Sequence, residues 1–194
     1  MKSLIIPSPM IDWKAQWALH AHNFFDGKAH VDLKEFGGPD RSFKLLPGPG
    51  FGDLSHPTTR IMLTLIPKRL TCPVIDIGCG SGVLSLAAKV LGAPEVFGID
   101  IDEDAIAHAQ KNSALNGLNC SFGKALLTIP KRPLLLMNMI SSEQKKAWSD
   151  LPPLAASTLI VSGYPVEEPD PTHYGKIEHT LSLEGWKGFV IQMG

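Results

Sequence analysis

Val74-Ile75-Asp76-Ile77 opens directly into Gly78-Cys79-Gly80-Ser81-Gly82, and Val96-Phe97-Gly98-Ile99 ends on Asp100-Ile101-Asp102. The first segment reads as an apolar strand feeding a glycine-rich turn. The second reads as an apolar strand tipped by an acid, and Asp100 lies 22 residues after Gly78. On a doubly wound sheet that layout makes a site for a nucleotide-type cofactor. Gly78, Gly80 and Gly82 let the backbone approach a ligand with no Cβ in the way. The Asp100 carboxylate can accept hydrogen bonds from a ribose diol.

Spacing selects among cofactors. A dinucleotide fingerprint reads G-x-G-x-x-G. Here the pattern is G-x-G-x-G, and Val83 stands in place of the third dinucleotide glycine. Asp76, two residues before the first glycine, would repel a pyrophosphate but can organise the loop around a cationic ligand, directly or through water. S-adenosylmethionine carries an amino group and a sulfonium, and it suits this loop. The expected cofactor contacts are Asp76, Gly78, Cys79, Gly80, Gly82, Asp100 and Ile101. For Cys79, a small buried thiol is a simpler reading than a nucleophile. The competing reading of the turn is a tight strand-to-helix connection with no ligand.

The elements that must position these residues alternate along the chain. Strand 74–77 leads to a helix over 82–91, strand 96–99 to a helix over 103–116 closed by Gly117, and strand 119–122 to strand 134–137. A helix near 142–148 precedes strand 158–161. This order predicts an α/β fold: a doubly wound, mostly parallel, seven-stranded Rossmann-like sheet. Segments 176–183 and 186–192 flank Glu184-Gly185 and read as an antiparallel C-terminal hairpin. Upstream, 11–22 reads as an amphipathic helix with Trp13 and Trp17 on one face. Short strands follow at 30–33 and 43–46, then a glycine- and proline-dense loop at 47–52. A helix over 57–65 carries Pro57 in its first turn, with Ser55 or His56 near the cap.

The 194 residues suit one domain, expected over 1–194 with 1–46 as an N-terminal helix and strand extension. A net charge of -1 gives no global field favouring nucleic acid or an acidic membrane. No apolar run approaches the ~20 residues needed to span a bilayer, and Met1 to Met10 does not read as a signal peptide. Three cysteines without ligand spacing suggest a reducing cytoplasm. His20, His22, His30, His108, His173 and His179 share no metal spacing, so surface or packing roles are expected and no metal is.

The loop Pro49-Gly50-Phe51-Gly52-Asp53-Leu54-Ser55-His56-Pro57-Thr58-Thr59 resembles the P-G-x-A-F-G-T-G-x-H-P-T-T loop of the PrmA family. Its members are class I S-adenosylmethionine-dependent methyltransferases of protein eleven of the large ribosomal subunit. Several other segments match the family as well: Asp76–Leu84, Gly98–Asp102, Asn112 with Asn116-Gly117, Asn138-Met139-Ile140, Ser162-Gly163 and Glu184-Gly185-Trp186. The resemblance implies a methyltransferase acting on a protein amine, with S-adenosylmethionine as donor and a ribosomal protein as possible partner. Three features depart from the family. Asp53-Leu54 stands where the family has Thr-Gly, and Gly123-Lys124 where many members have Gly-Asp, an acid that helps hold the adenine amino group. About 45 residues precede the loop, fewer than the family's N-terminal recognition domain needs.

Methyl transfer from a sulfonium asks the protein to align a lone pair and exclude water. Asn138, at the carboxyl end of the fourth core strand, is the expected acceptor-orienting residue and a cofactor contact; the competing reading is a helix cap. Enzymes methylating adenine or glutamine amides carry N-P-P-[YF] here, and Met139 and Ile140 exclude that grip. His56 is expected either to touch substrate or cofactor or to fix the loop. Thr58 is expected to cap a helix or bond the ligand. The alternatives to a protein methyltransferase are a small-molecule methyltransferase, a non-catalytic S-adenosylmethionine-binding or scaffold protein suggested by Asp53 and Lys124, and, less favoured, a nicotinamide enzyme.

Overall fold

Apolar runs too short for helices, punctuated by Gly and Pro, lay down a seven-stranded sheet in the computed structural model, which describes residues 11–21 and 23–194. Met1 to Met10 and His22 lie outside the described residues. The core strands are β4 (Val74–Ile77), β5 (Val96–Ile99), β6 (Ser121–Gly123), β7 (Leu134–Asn138) and β8 (Thr158–Pro165). All pair in parallel. The hairpin strands β9 (Lys176–Leu183) and β10 (Trp186–Gln192) add antiparallel at one edge, giving the order β6-β5-β4-β7-β8-β10-β9. This is the α/β fold with the antiparallel C-terminal hairpin expected from the alternation of segments.

β4 is buried along its whole length, as a central parallel strand covered on both faces must be. One face packs against helices α2 (Pro57–Leu65) and α3 (Val83–Val90), and an apolar cluster runs from Met62 and Leu86 through Val74 and Leu136. The same cluster takes in Val31, Phe43 and Leu45 of a small antiparallel sheet, β1 (Phe24–Phe25), β2 (Lys28–Asp32) and β3 (Ser42–Leu45). Trp17 of α1 (Trp13–His20) packs there as well. The other face buries Ile75, Ile77, Leu135 and Met137 against Ala147 and Trp148 of α5 (Ser141–Ser149). Helix α4 (Glu103–Leu115) follows β5 and is capped by Asp102, whose side chain accepts the Asp104 N–H. No helix among the described residues is long and apolar enough to cross a membrane.

The structure adjusts several boundaries. α1 is shorter than the 11–22 segment, because Asp12 caps it by accepting the Ala15 N–H. β1 had no alternating pattern to announce it. β6 is Ser121–Gly123 rather than 119–122, and β8 runs on to Pro165 because β10 pairs along it.

Two glycines outside the expected cofactor loop separate conformational strain from steric clash. Gly163 in β8 has φ +110°, and a Cβ there would stand 1.8 Å from the Met139 carbonyl oxygen. Gly117 has φ +61°, but a Cβ there would meet nothing within 4 Å. Gly117→Ala is therefore expected to cost only the left-handed penalty of about 1–2 kcal/mol. Gly163→Ala should cost more than about 3 kcal/mol, since clash adds to strain. Urea unfolding of both variants checks the order, and equal losses would mean that the Met139 carbonyl gives way to a Cβ at position 163 at little cost.

Candidate functional site

The glycine turn after β4 meets a second glycine-rich loop, and the two pack backbone against backbone. Ser81 N–H donates to the Phe51 carbonyl at 2.9 Å, and Ser81 Oγ donates to the Gly52 carbonyl at 3.3 Å. A Cβ on Gly50 would sit 2.5 Å from the Gly80 carbonyl carbon, and one on Gly80, whose φ is +53°, 2.7 Å from the Phe51 carbonyl oxygen. Glycine is thus required at these positions mainly so that the loops can touch each other. For Gly80 the sequence weighs ligand access against a tight strand-to-helix turn, and for Gly50 it marks only a loop.

Helix α4 straps the upstream loop in place. His108, Asn112 and Asn116 recur every four residues and form one polar column. Asn116 Oδ1 accepts Lys44 N–H, Asn112 Oδ1 accepts Leu46 N–H at 2.8 Å, and Asn112 Nδ2 donates to the Ser81 carbonyl at 2.9 Å. His108 Nδ1 accepts the Gly50 N–H at 3.1 Å, so the ring proton sits on Nε2 and is donated to the Leu46 carbonyl at 2.6 Å. Burial lowers the His108 pKa and keeps this neutral tautomer at pH 7. His108 is therefore a loop-holding residue. The packing role expected for it holds in part, since Trp17 meets its ring edge-on at 5.8 Å.

The tips of β4, β5, β6, β7 and β8 surround a cavity of about 860 Å³. Its wall includes His56, Thr58, Gly78, Gly80, Asp100, Ile101 and Asn138 from the expected set. Asp76, Cys79 and Gly82 are not in the wall. Asp76 lies beneath the loop, 1% exposed, and its Oδ2 accepts both the N–H and the hydroxyl of Ser85 at 3.0 and 2.6 Å. Cys79 is buried, and burial pushes its thiol far above the range in which it would ionise at neutral pH. Gly82 caps α3.

Asp100 shapes the turn as well as the wall. Its Oδ2 accepts the Gly80 N–H at 3.0 Å and its Oδ1 the Asp102 N–H at 3.1 Å. Each oxygen keeps acceptor capacity for a ligand hydroxyl. Carboxylates Asp100, Asp102, Glu143 and Asp150 line the cavity against the ammonium groups of Lys124 and Lys146. The balance is negative, which suits a cationic ligand. A glycine cradle, a strand-tip carboxylate and an apolar wall of Ile99, Ile101 and Leu126 together fit S-adenosylmethionine.

At the β7 side, His56 is the N-cap of α2, and its Nδ1 takes the Thr58 N–H at 3.3 Å and faces the Thr58 hydroxyl at 2.8 Å. The capping bond leaves the ring proton on Nε2, and burial lowers the His56 pKa. Phe51 and Trp186 approach the ring edge-on at 5.5 and 4.8 Å. Trp186 and Gly163 are wall residues that the sequence marked only through family resemblance. Gln144 carried no signal at all. It is 1% exposed on an otherwise polar helix, and its Nε2 donates to the Met139 and Ser162 carbonyls at 2.8 and 3.1 Å while its Oε1 accepts the Tyr164 hydroxyl. It thereby fixes the segment that carries Asn138. Asp53 is turned into its own loop, where Oδ1 accepts the N–H and hydroxyl of Ser55 at 3.0 and 2.5 Å. Among the described residues no group of His, Cys, Asp and Glu is arranged to hold a metal.

The model of the family described as ribosomal protein L11 methyltransferase (PrmA) matches residues 33–143. Ribosomal protein L11 methyltransferase of Geobacter metallireducens is 34% identical, over 94% of this chain and 67% of that protein. The Geobacter sulfurreducens protein of that name is 36% identical over 81% of the chain and 58% of its own length. The chain therefore spans only about half to two-thirds of these relatives. Among solved structures, ribosomal protein L11 methylase of Lactobacillus delbrueckii subsp. bulgaricus superposes with TM-score 0.61 at 26% identity, over 77% of this chain and 83% of that one. A T. thermophilus 16S rRNA methyltransferase, solved with AdoMet and guanosine, shares the fold with TM-score 0.59 at 20% identity, over 79% of this chain and 47% of that one.

Burial makes Asp76 a pH-dependent element. Its pKa is pushed up to about 6, chiefly by burial and also by Asp100, against the opposing Ser85 bonds. The unfolded chain releases that proton near 3.9. Between about pH 4 and 6 the native state binds more protons than the unfolded one, so stability falls as pH rises through this window. The loss amounts to about 3 kcal/mol by pH 7. Asp76→Asn should remove this slope. Urea unfolding across pH 4–8 checks it, and parallel curves for variant and parent would refute it.

Proposed function

The chain belongs to the ribosomal protein L11 methyltransferase (PrmA) family, and we propose that it transfers a methyl group from S-adenosylmethionine to a protein amine, in the first instance on a ribosomal protein of the L11 type. The observation that carries this reading is one cavity containing the glycine cradle, the Asp100 carboxylate and the Asn138–Trp186 side together. When bound, S-adenosylmethionine supplies an electrophilic methyl on a good leaving group. We assign the backbone of Gly78 and Gly80, the Asp100 carboxylate and the flank of Ile101 to holding it, with Thr58 and Asn138 at the reactive end. Residues 1–194 act as one catalytic unit in this reading, and the cytoplasm is its place of action.

The acceptor amine must arrive without its proton and stay aligned. Asn138, at the tip of β7, offers a side-chain carbonyl to an incoming N–H. His56, with its proton on Nε2, is a donor toward the cavity and an aromatic edge. It fixes the loop and shapes the acceptor side, so proton removal falls to solvent or to the acceptor's own equilibrium. Phe51, His56 and Trp186 exclude water from that end.

Calorimetry with S-adenosylmethionine, S-adenosylhomocysteine and NAD, followed by tritiated methyl transfer to purified ribosomal protein L11, tests the proposal. Binding of the first two without NAD, and label on the protein, is the expected outcome; NAD binding or an unlabelled acceptor overturns it. Asp100→Ala removes a charged acceptor and should weaken donor binding about tenfold to a hundredfold. Asn138→Ala should leave donor affinity within a few-fold and lower turnover by a larger factor, because misplacing the nucleophile costs most in the transition state. Loss of donor binding in that variant would make Asn138 a cofactor ligand instead.

A further inference from the structure

Four carboxylates line the cavity, and three of them have partners. Asp100 accepts the Gly80 and Asp102 N–H groups, Asp102 accepts the Asp104 N–H, and Asp150 pairs with Lys146 Nζ at 2.8 Å. Among the described residues, no group hydrogen-bonds or ion-pairs with the Glu143 carboxylate. Glu143 is exposed, so a ligand that reaches it displaces only water.

The place of Glu143 in the fold decides which ligand that is. The strand order β5-β4-β7 runs from Asp100 through the glycine turn to Asn138, and the donor takes that stretch in the reading above. Glu143 lies beyond it, in the first turn of α5. Its N–H donates to the Ile140 carbonyl at 3.0 Å, and Gln144 Nε2 beside it donates to the Met139 carbonyl at 2.8 Å. The turn that carries Glu143 is thus tied to the two residues that follow Asn138. Glu143, Lys146, Ala147 and Asp150 are spaced by threes and fours, share one face of α5 and all line the cavity. Lys146 and Asp150 compensate each other. One uncompensated negative charge remains on this face, at the acceptor side.

A lysine-type amine titrates near 10.4 and is an ammonium ion in water at pH 7. A carboxylate free of other partners can take it up through a charge-assisted hydrogen bond. We propose that Glu143 is the acceptor-binding residue of the cavity: it receives the amine as its ammonium ion and so selects a cationic acceptor over a neutral one. The ammonium then loses its proton to the solvent that reaches Glu143, keeping the electron pair on nitrogen, and the neutral amine is the form that Asn138 orients. This rests on the reading of the cavity as a methyltransferase site. It adds a residue outside the Asn138-Met139-Ile140 segment that carries the family resemblance.

The test is initial rates of methyl transfer to purified ribosomal protein L11 at saturating S-adenosylmethionine, with calorimetry of S-adenosylhomocysteine to monitor the donor site. Glu143→Gln keeps the shape and removes the charge; the acceptor KM should rise about tenfold while kcat stays within about threefold. Glu143→Asp keeps the charge and should stay closer to the parent, and Glu143→Lys should raise KM further than Glu143→Gln. Added salt should raise the parent's KM more than that of Glu143→Gln. Glu95→Gln removes the same charge at the other end of the sheet, where the Glu95 carbonyl accepts the Val74 N–H, and should leave KM unchanged. S-adenosylhomocysteine should bind every variant within about twofold of the parent. Position 143 is exposed, so the variants should fold, and a thermal melt verifies this. If the parent labels L11 and Glu143→Gln keeps the parent's KM, the inference is overturned and the methyltransferase reading stands. A loss of S-adenosylhomocysteine affinity in Glu143→Gln as large as the rise in KM assigns the carboxylate to the donor and also overturns it. A parent that leaves L11 unlabelled overturns the methyltransferase reading, and this inference with it.

Discussion

Two glycine-rich loops touching backbone to backbone are the contact on which the site depends. The turn 78–82 and the loop 48–52 approach so closely that a Cβ on Gly50 or Gly80 would fall under 3 Å from main-chain atoms of the other loop. Apart from the Ser81 hydroxyl on the Gly52 carbonyl, this contact is backbone against backbone, and its geometry is held from outside. The column His108–Asn112–Asn116 imposes it by gripping the backbone at Lys44, Leu46 and Gly50, while Asn112 also holds Ser81. Amide and imidazole groups suit the task because each can donate and accept at once. Through this column α4, the helix that follows the ribose-type acid, also fixes the loop that forms the far wall of the cavity.

The second constraint is electrostatic. Asp76 and Asp100 lie beneath and beside the same turn, and the Asp100 charge adds to burial in raising the cost of ionising Asp76. The structure gives them different environments. Asp100 faces the cavity and accepts two backbone N–H groups. Asp76 is sealed under the loop with Oδ1 lacking a partner, which favours the protonated form. A cation in the cavity would favour ionisation of Asp76. The acid before the first glycine lies outside the cavity wall, and its partner is Ser85 in the first turn of α3.

The sheet was legible because its signals are local. β4, β5 and the β9–β10 hairpin are short apolar or alternating runs bounded by glycine, proline or an acid, and their boundaries survive in the structure. The cavity wall was legible where a backbone requirement or a strand-tip acid marks it, at Gly78, Gly80, Asp100 and Asn138. Side-chain direction was not legible. Strand alternation places Asp76 and Ile77 on opposite faces, but the sequence does not say which face the cavity shares. His108 looked like any packing histidine, because its partners are backbone groups 58 and 62 residues away. Asp53 suggested a lost cofactor contact, but in the structure it is a turn residue bonding Ser55 two positions on, a local habit of aspartate in any loop.

Rigidity is distributed unevenly around the cavity. At the β7–β8 side, Gly163 lets the Met139 carbonyl approach β8, Gln144 ties the Met139 and Ser162 carbonyls together, and Tyr164 closes the network from below. A buried amide with both of its ends bonded has little freedom to shift, so Asn138 stands on a fixed support. At the β6 side the polar groups are exposed, long and held by a single ion pair. Alignment of a nucleophile tolerates displacement poorly, because a shift of about 1 Å can cost two orders of magnitude in rate. The firm support at β7 therefore places rigidity where an aligned acceptor would need it, and the β6 side, held by one exposed ion pair, carries none of that kind.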